Sequence, residues 1–165
     1  MTTKRNRSGN ILLIDNDVLV NIFVDLRKIN EEAITRVVRY ITLEYARIWI
    51  PAYIKTEFLL KRNDKRRSKI LKKVFEAFEN FSECPIYVSL QEVRVFVGMK
   101  DQDMGEAEAI LQMQKAKSLS TCRFNNIVFL SNDQAALALA SNWQMSTYNY
   151  AELKSTMREA GILLP

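Results

Sequence analysis

The sequence predicts a three-layer α/β domain, in which a central, mainly parallel sheet of five strands carries helices on both faces. Short apolar runs that suit buried strands alternate along the chain with longer segments of helical periodicity. The first of these runs, "ILLI", is apolar without alternation, which is typical of a parallel strand buried on both faces. The 165 residues are 48% hydrophobic with only 4 Gly and 3 Pro. We therefore expect a single domain over 10–165, preceded by a flexible basic segment over 1–9.

Five apolar runs predict the strands, because each is short and rich in β-branched or aromatic residues. In chain order they are Ile11–Ile14, "ARIWI" before Pro51, "IYVS" at Ile86–Ser89, "NIVFL" at Asn126–Leu130, and Met145–Tyr148.

Eight segments with apolar residues at helical spacing predict helices between and after the strands. The first begins at about Asn16, and Pro51 precedes the third, where a helix start tolerates proline. Asp64 is a candidate cap for the fourth, and Gly161 ends the last. The remaining ranges are Glu31–Leu43, 52–62, about 64–81, Leu90–Met99, 104–117, 134–143 and Tyr150–Ala160.

Composition excludes several kinds of chemistry. The chain has no His, which rules out His-based triads, His-ligated zinc and His acid–base catalysis. Cys84 and Cys122 are too few for a disulfide scaffold or a structural zinc site. No apolar run reaches the length of a membrane span, and the N-terminus lacks the apolar part of a signal peptide, so we expect a cytoplasmic protein without a membrane partner. Catalysis would have to rest on carboxylates, hydroxyls, Lys or Arg.

Basic residues give a formal net charge of +5 and crowd into one part of the chain. This crowding is equally compatible with a solvated helix face and with a surface that contacts phosphates. The candidates for nucleic-acid binding are the basic residues close to Glu57 in the sequence. They are Lys55, Lys61, Arg62, Lys65 and Arg66.

Four acidic residues lie where the predicted fold would gather ligands, at the carboxyl ends of parallel strands. Asp15 follows the first strand, Glu57 lies in the helix after the second, Glu106 begins the helix "GEAEAI", and Asp133 follows the fourth strand. Each has an ordinary structural explanation as a helix cap, a first-turn acid or a solvated residue. Gathered at one edge, they would need a cation, and an all-oxygen site without His or Cys predicts Mg²⁺ or Mn²⁺.

Four motifs in order, "ILLIDND", "IPAYIKTEF", "MGEAEAI" and "VFLSND", resemble those of PIN-domain proteins. These are metal-dependent ribonucleases, many of them VapC-like toxins of toxin–antitoxin pairs. The resemblance covers nearly the whole chain and is greatest to the branch in which a Gly-Glu pair opens the third-acid helix. It implies a sheet with the first strand central and the fourth beside it.

Matched position by position, the resemblance implies that the same four acids, Asp15, Glu57, Glu106 and Asp133, are catalytic and hold one or two Mg²⁺ or Mn²⁺ ions. Four further residues are implied in supporting positions around these acids, and they are Asn16, Asp103, Ser131 and Asn132. The chain departs from the family where Glu106 replaces a more usual Asp, and Asp103 is the preferred substitute for it over Glu108. Asp17 has no role in the family and is expected to be solvated.

The function implied is hydrolysis of phosphodiester bonds in single-stranded or structured RNA. The resemblance also allows a cognate antitoxin and a homodimer formed through apolar residues of the first two helices, Phe23, Val37 and Tyr40. One alternative is a PIN-like binding module without catalysis. A lesser one is a haloacid-dehalogenase-type phosphatase that uses Asp15 and Asp17, although the second late acid and the flanking Gly-Thr of that family are missing.

Overall fold

The computed structural model describes residues 10–60, 65–98, 104–118 and 126–165. It contains five strands, β1 (Asn10–Ile14), β2 (Arg47–Ile50), β3 (Phe81–Glu83), β4 (Asn126–Leu130) and β5 (Ser146–Tyr148). Three consecutive segments, Asn16–Val20, Asn21–Asp25 and Leu26–Ile29, form one helix, α1. The other helices of the described residues are α2 (Glu31–Glu44), α3 (Ala52–Leu60), α4 (Lys65–Ala77), α5 (Leu90–Phe96), α6 (Met104–Ser118), α7 (Gln134–Asn142) and α8 (Tyr150–Glu159).

Several sequence predictions fall on residues outside these ranges. They are the flexible basic segment 1–9, the Asp64 cap, Lys61, Arg62, Asp103 and Cys122.

The five strands form one sheet in the order β3-β2-β1-β4-β5, and every pair in it is parallel. This confirms the predicted α/β class with a five-stranded sheet. β1 occupies the centre, with β2 on one side and β4 on the other. The ends of β1 and β4 are therefore neighbours, since Ile14 is in register with Leu130.

The prediction of a third strand at "IYVS" is wrong. The third strand is instead β3, whose Phe81 is 1% exposed and lies in register with Ile48 of β2. Tyr87 of the predicted strand is 78% exposed, and Ser89 caps α5 through a reciprocal capping box with Glu92. The predicted basic helix is correspondingly too long, because α4 ends at Ala77 and leaves Phe81 to the sheet.

Both faces of the sheet are buried, which explains why β1 is apolar without alternation. Leu12 and Ile14 belong to a core with α1, α2, α3, α4 and α8, whereas Ile11 and Leu13 belong to a second core with α6 and α7. The chain is thus a helix–sheet–helix sandwich, as the sequence predicts.

The residues proposed for a homodimer are not exposed. Phe23 on α1 is 1% exposed, and Val37 and Tyr40 on α2 are 0% and 9% exposed, because all three side chains pack into the core. The sequence prediction of a dimer surface at these positions is therefore wrong.

Within the described residues, no helix combines the length and the apolar character that crossing a membrane requires.

The middle of α1 is a π-helical turn over Asn21–Asp25. Such turns are short insertions in α-helices and are frequent at functional sites. Here the turn brings the Asn21 side-chain amide within 3.2 Å of the Asp25 carboxylate, to which it donates. The turn also leaves the Asn21 Oδ1 atom to accept a hydrogen bond from Asn132 at 2.7 Å, which links α1 to the end of β4.

Gly105 allows α6 to approach α3 closely. A Cβ atom at this position would lie 2.7 Å from the Cγ1 atom of Ile54, whose side chain is fully buried. The glycine therefore fixes the separation of two helices that carry candidate acids, Glu57 on α3 and Glu106 on α6.

We expect Gly105→Ala to destabilise the protein by about 1–2 kcal/mol, because the overpacking against Ile54 exceeds the gain in helix propensity. Urea denaturation measures the loss. A double-mutant cycle with Ile54→Ala provides the control, since removing the Cγ1 atom should make the Gly105→Ala change nearly neutral. Equal losses in both backgrounds would show that the close approach to Ile54 is not what requires glycine.

Candidate functional site

A single buried hydroxyl joins the ends of the two central strands. Ser131 is 0% exposed, and its Oγ atom donates to the Asp15 Oδ2 atom at 2.7 Å. The same Oγ atom accepts the backbone N–H of Asp133 at 3.1 Å. The backbone N–H of Asp15 in turn donates to the Leu130 carbonyl at 2.9 Å, which continues the β1–β4 ladder. The candidate acids Asp15 and Asp133 are thus held at one edge of the sheet.

The Asp15 carboxyl group is the most strongly perturbed acid of the site. It is 7% exposed, and its Oδ1 atom accepts the Asn16 N–H at 2.8 Å, so it also caps α1. Desolvation by burial raises the pKa of Asp15 to about 6, opposed by the Ser131 hydrogen bond and increased further by the charge on Asp17. A buried carboxylate with acidic neighbours is a group that a cation would stabilise.

Glu57 lies close enough to Asp15 for its charge to raise the pKa of that carboxyl. It projects from α3, whose Ile54 and Phe58 are fully buried against the core, and the Glu57 side chain is itself half-buried. The structure therefore brings together two of the four predicted acids from segments that are distant in the sequence.

Asp133 has a structural role as well. Its Oδ1 atom accepts the backbone N–H groups of Ala135 at 2.8 Å and of Ala136 at 3.3 Å, so it caps α7. The residue is nevertheless exposed at the carboxyl end of β4. The cap therefore fixes an exposed carboxylate beside the buried hydroxyl of Ser131.

Asp17 belongs to this group, contrary to the prediction that it is solvated. Its Oδ2 atom accepts the Asn132 N–H at 3.0 Å, and its Oδ1 atom is buried with no hydrogen-bond partner in the described part of the chain. Burial raises the pKa of Asp17, and the charge of Asp133 raises it further. Sequence reasoning assigned Asp17 to solvent because the family requires nothing there; its spacing from Asp15 was the available signal.

Asn132 ties three elements together around the acids. Besides its bond to Asp17, its side-chain amide donates to Asn21, and its Oδ1 atom accepts the Tyr150 N–H at 3.0 Å. Asn132 therefore lies beside the Asp17 carboxylate and contacts both α1 and α8.

Glu106 and Glu108 have different environments on α6. Glu106 is half-buried in the first turn, next to the glycine that packs on Ile54. Glu108 is 8% exposed, and its Oε1 atom accepts the Tyr53 N–H at 3.1 Å. Glu108 thus serves the start of α3, where Pro51 offers no capping side chain.

The donor chemistry fits a hard divalent cation. Besides the carboxylates, the Oδ1 atoms of Asn16 and Asp17 are buried acceptors without a partner in the described residues. No three acidic or Cys side chains within these residues lie in an arrangement that would hold an ion between them. Mg²⁺ commonly binds through one or two carboxylates while keeping several waters, so a closed cage of protein ligands is not required.

Those predicted basic residues that the structure describes divide into two groups. Lys55 is half-buried, forms an ion pair with Glu83 at 3.4 Å and lies 5.9 Å from the centre of the Phe75 ring. Lys65 and Arg66 are exposed on α4. Lys55 is therefore engaged in packing and pairing at β3, whereas the α4 residues face outward.

No protein-family model matches this chain, and no curated protein matches it.

Proposed function

We propose that the chain is a metal-dependent endoribonuclease of PIN type, which hydrolyses phosphodiester bonds of RNA with Mg²⁺ or Mn²⁺. The observation that supports this most directly is the desolvated Asp15 carboxyl group, which shares the carboxyl edge of the sheet with Glu57, Asp17 and Asp133. Burial raises the pKa values of Asp15 and Asp17 there, and the charges of neighbouring acids raise them further. Such an arrangement suits a cation more than it suits the stability of the fold.

Asp15, Glu57, Glu106 and Asp133 are the carboxylates from which the metal would take one or two direct ligands, the others acting through its waters, and the unpartnered oxygens of Asn16 and Asp17 are additional donors. When bound, the ion lowers the pKa of a water molecule and stabilises the charge that develops on the leaving oxygen. Ser131 fixes the orientation of the Asp15 carboxylate through its hydroxyl, and the same hydroxyl holds the backbone of Asp133. The backbone N–H of Asn132 holds the Asp17 carboxylate in place.

The test is cleavage of a short end-labelled single-stranded RNA by wild type and by Asp15→Asn, in Mg²⁺, in Mn²⁺ and in EDTA. We expect wild type to cleave only with a divalent ion, and Asp15→Asn to lose at least about 100-fold in rate, because it removes a charged ligand. Glu159→Gln is the matched control: it also replaces one carboxylate by an amide, at an exposed position of α8. Refolding wild type from denaturant before the assay removes any bound antitoxin.

The alternatives give other results in the same assay. Equal cleavage by wild type and Asp15→Asn would mean that the activity comes from elsewhere. RNA binding without cleavage by refolded wild type would instead favour a binding module. A phosphatase would hydrolyse phosphomonoesters and leave a phosphoryl group on Asp15, detectable by mass spectrometry; we expect neither, since Asp17 is already bound to the Asn132 N–H.

A further inference from the structure

A basic groove runs between α1 and α4. Within the part of the chain that the structure describes, it is lined by the cationic side chains of Arg27 on α1 and of Arg66, Lys69 and Lys73 on α4, together with Ile70 and the acid Glu31. The groove has a volume of about 320 Å³. Lys69 and Lys73 are one helical turn apart and both exposed, so α4 presents a row of positive charge along one side of the groove.

A second cleft, with a volume of about 550 Å³, lies between the same two helices and includes residues of the candidate site. Its lining includes Asn16, Asp17 and Asn132 of the candidate site, the cations Lys28 and Arg67, and a second acid, Asp25. Both clefts are lined by residues of α1 and α4, and Lys28 and Arg67 of the second are next in sequence to Arg27 and Arg66 of the first. From Asp17 to Arg27 the helix rises by about 15 Å.

Arg67 adds a buried positive charge to the lining of the second cleft. It is 6% exposed, donates from Nη1 to the Phe58 carbonyl at 3.0 Å, and its guanidinium carbon lies 5.1 Å from the centre of the Phe58 ring. No ion pair joins it to an acid of the described residues, and its Nε atom has no hydrogen-bond partner among them. Its charge is therefore not neutralised by an acidic side chain of that part of the chain.

We propose that the groove between α1 and α4 binds the phosphates of a single RNA strand on one side of the scissile bond. The inference rests on the proposed ribonuclease function, which supplies the substrate, and it adds the path that the strand takes from the acids. The acids mark the place of the reacting phosphodiester, and the strand would pass from there between α1 and α4 to Lys69 and Lys73. Lys69 and Lys73, exposed and one helical turn apart, suit repeated phosphates.

The test measures RNA binding, separately from cleavage. A fluorescent single-stranded RNA is titrated with protein carrying Asp15→Asn, in EDTA, at several salt concentrations. Adding Lys69→Ala and Lys73→Ala should weaken binding and flatten the plot of log affinity against log salt by about 1.4, because each lost phosphate contact removes about 0.7. The matched control adds Lys117→Ala and Lys154→Ala, which remove the same charge from exposed positions of α6 and α8. The control should keep the slope of its parent.

The outcomes separate this inference from the proposed function. If the variant with Lys69→Ala and Lys73→Ala binds RNA with the affinity and the salt dependence of its parent, the groove is not the path of the strand. This holds even where wild type cleaves RNA. An equal loss in the control pair would also overturn the inference, since only total charge would matter. A loss specific to Lys69 and Lys73 supports the RNA surface, even if cleavage fails. In the protein that retains Asp15, Lys69→Ala together with Lys73→Ala should raise KM more than it lowers kcat.

Discussion

Asp15→Asn is expected to make the metal-free protein more stable above pH 6, although it removes the proposed catalytic activity. The pKa of Asp15 is raised from 3.8 to about 6 by burial, so the ionised form is disfavoured in the folded chain. At about 1.4 kcal/mol per pKa unit, the ionised side chain costs about 3 kcal/mol of folding free energy. An amide of the same shape avoids this cost.

The pH dependence of this effect follows from the direction of the shift. At pH 8 Asp15 is ionised in both the folded and the unfolded chain, and wild type carries the full cost. As the pH falls through about 6 the folded chain takes up the proton first, so wild type should regain about 2 kcal/mol relative to Asp15→Asn by pH 4. Urea denaturation in EDTA at both pH values measures this difference.

Two comparisons make this result decisive. Asp25→Asn is the control, since it makes the same replacement at an exposed acid of the same helix, where no buried charge is relieved, so it should not gain stability at pH 8. Mg²⁺ or Mn²⁺ should stabilise wild type at pH 8 and have little effect on Asp15→Asn, because a ligand that binds only the folded state adds to its stability. If Asp15→Asn is the less stable protein at pH 8 without metal, the charge of Asp15 is already compensated and the site has no need of a cation.

The second large effect is expected at Glu108, as a loss of stability. Glu108→Ala removes the acceptor of the Tyr53 N–H and of the Gln112 amide, the latter at 3.4 Å, in a position that is 8% exposed. An unpaired buried donor and the space left by the side chain together predict a loss of about 2–4 kcal/mol. The midpoint of urea denaturation should fall accordingly.

Substitutions that keep an acceptor distinguish the cause. Glu108→Gln retains an oxygen to accept the Tyr53 N–H, and it replaces a carboxyl group whose pKa is raised by burial. It should therefore lower the stability of the protein less than Glu108→Ala does. Glu106→Ala, two residues earlier, should show the reverse pattern, with a small change in stability and a loss of RNA cleavage of at least about 10-fold. A larger loss of stability in Glu106→Ala than in Glu108→Ala would mean that the roles of the two acids are exchanged.

The sheet could be predicted in outline because its central strands are short and apolar on both faces. The edge strand β3 could not, since Phe81 stands in a polar context, "ENFSEC", and only its pairing with Ile48 gives it strand geometry. The predicted strand at Ile86–Ser89 has the better local pattern, yet the capping box of Ser89 and Glu92 starts a helix there. Tertiary pairing therefore makes the segment at Phe81 a strand, and a local cap starts a helix after Ser89.

The candidate site was predictable to the extent that acids at strand ends meet in a parallel sheet. Asp15, Ser131 and Asp133 follow from that rule together with the order of the strands. Asp17 and Glu108 do not, because their roles depend on long-range contacts to Asn132 and Tyr53. Arg67 was indistinguishable in sequence from its exposed neighbours on α4, and only packing on Phe58 separates it from them.

The hydroxyl of Ser131 also sets the order in which the site can form. It reaches Asp15 across 116 positions of the chain, so that hydrogen bond closes a very long loop. A nascent chain released only as far as β3 already contains Asp15 and Glu57, but it lacks β4 and the two residues that orient the first acid and complete the edge. The site is therefore assembled late in synthesis, and fragments from the first half of the chain should carry the acids without the activity.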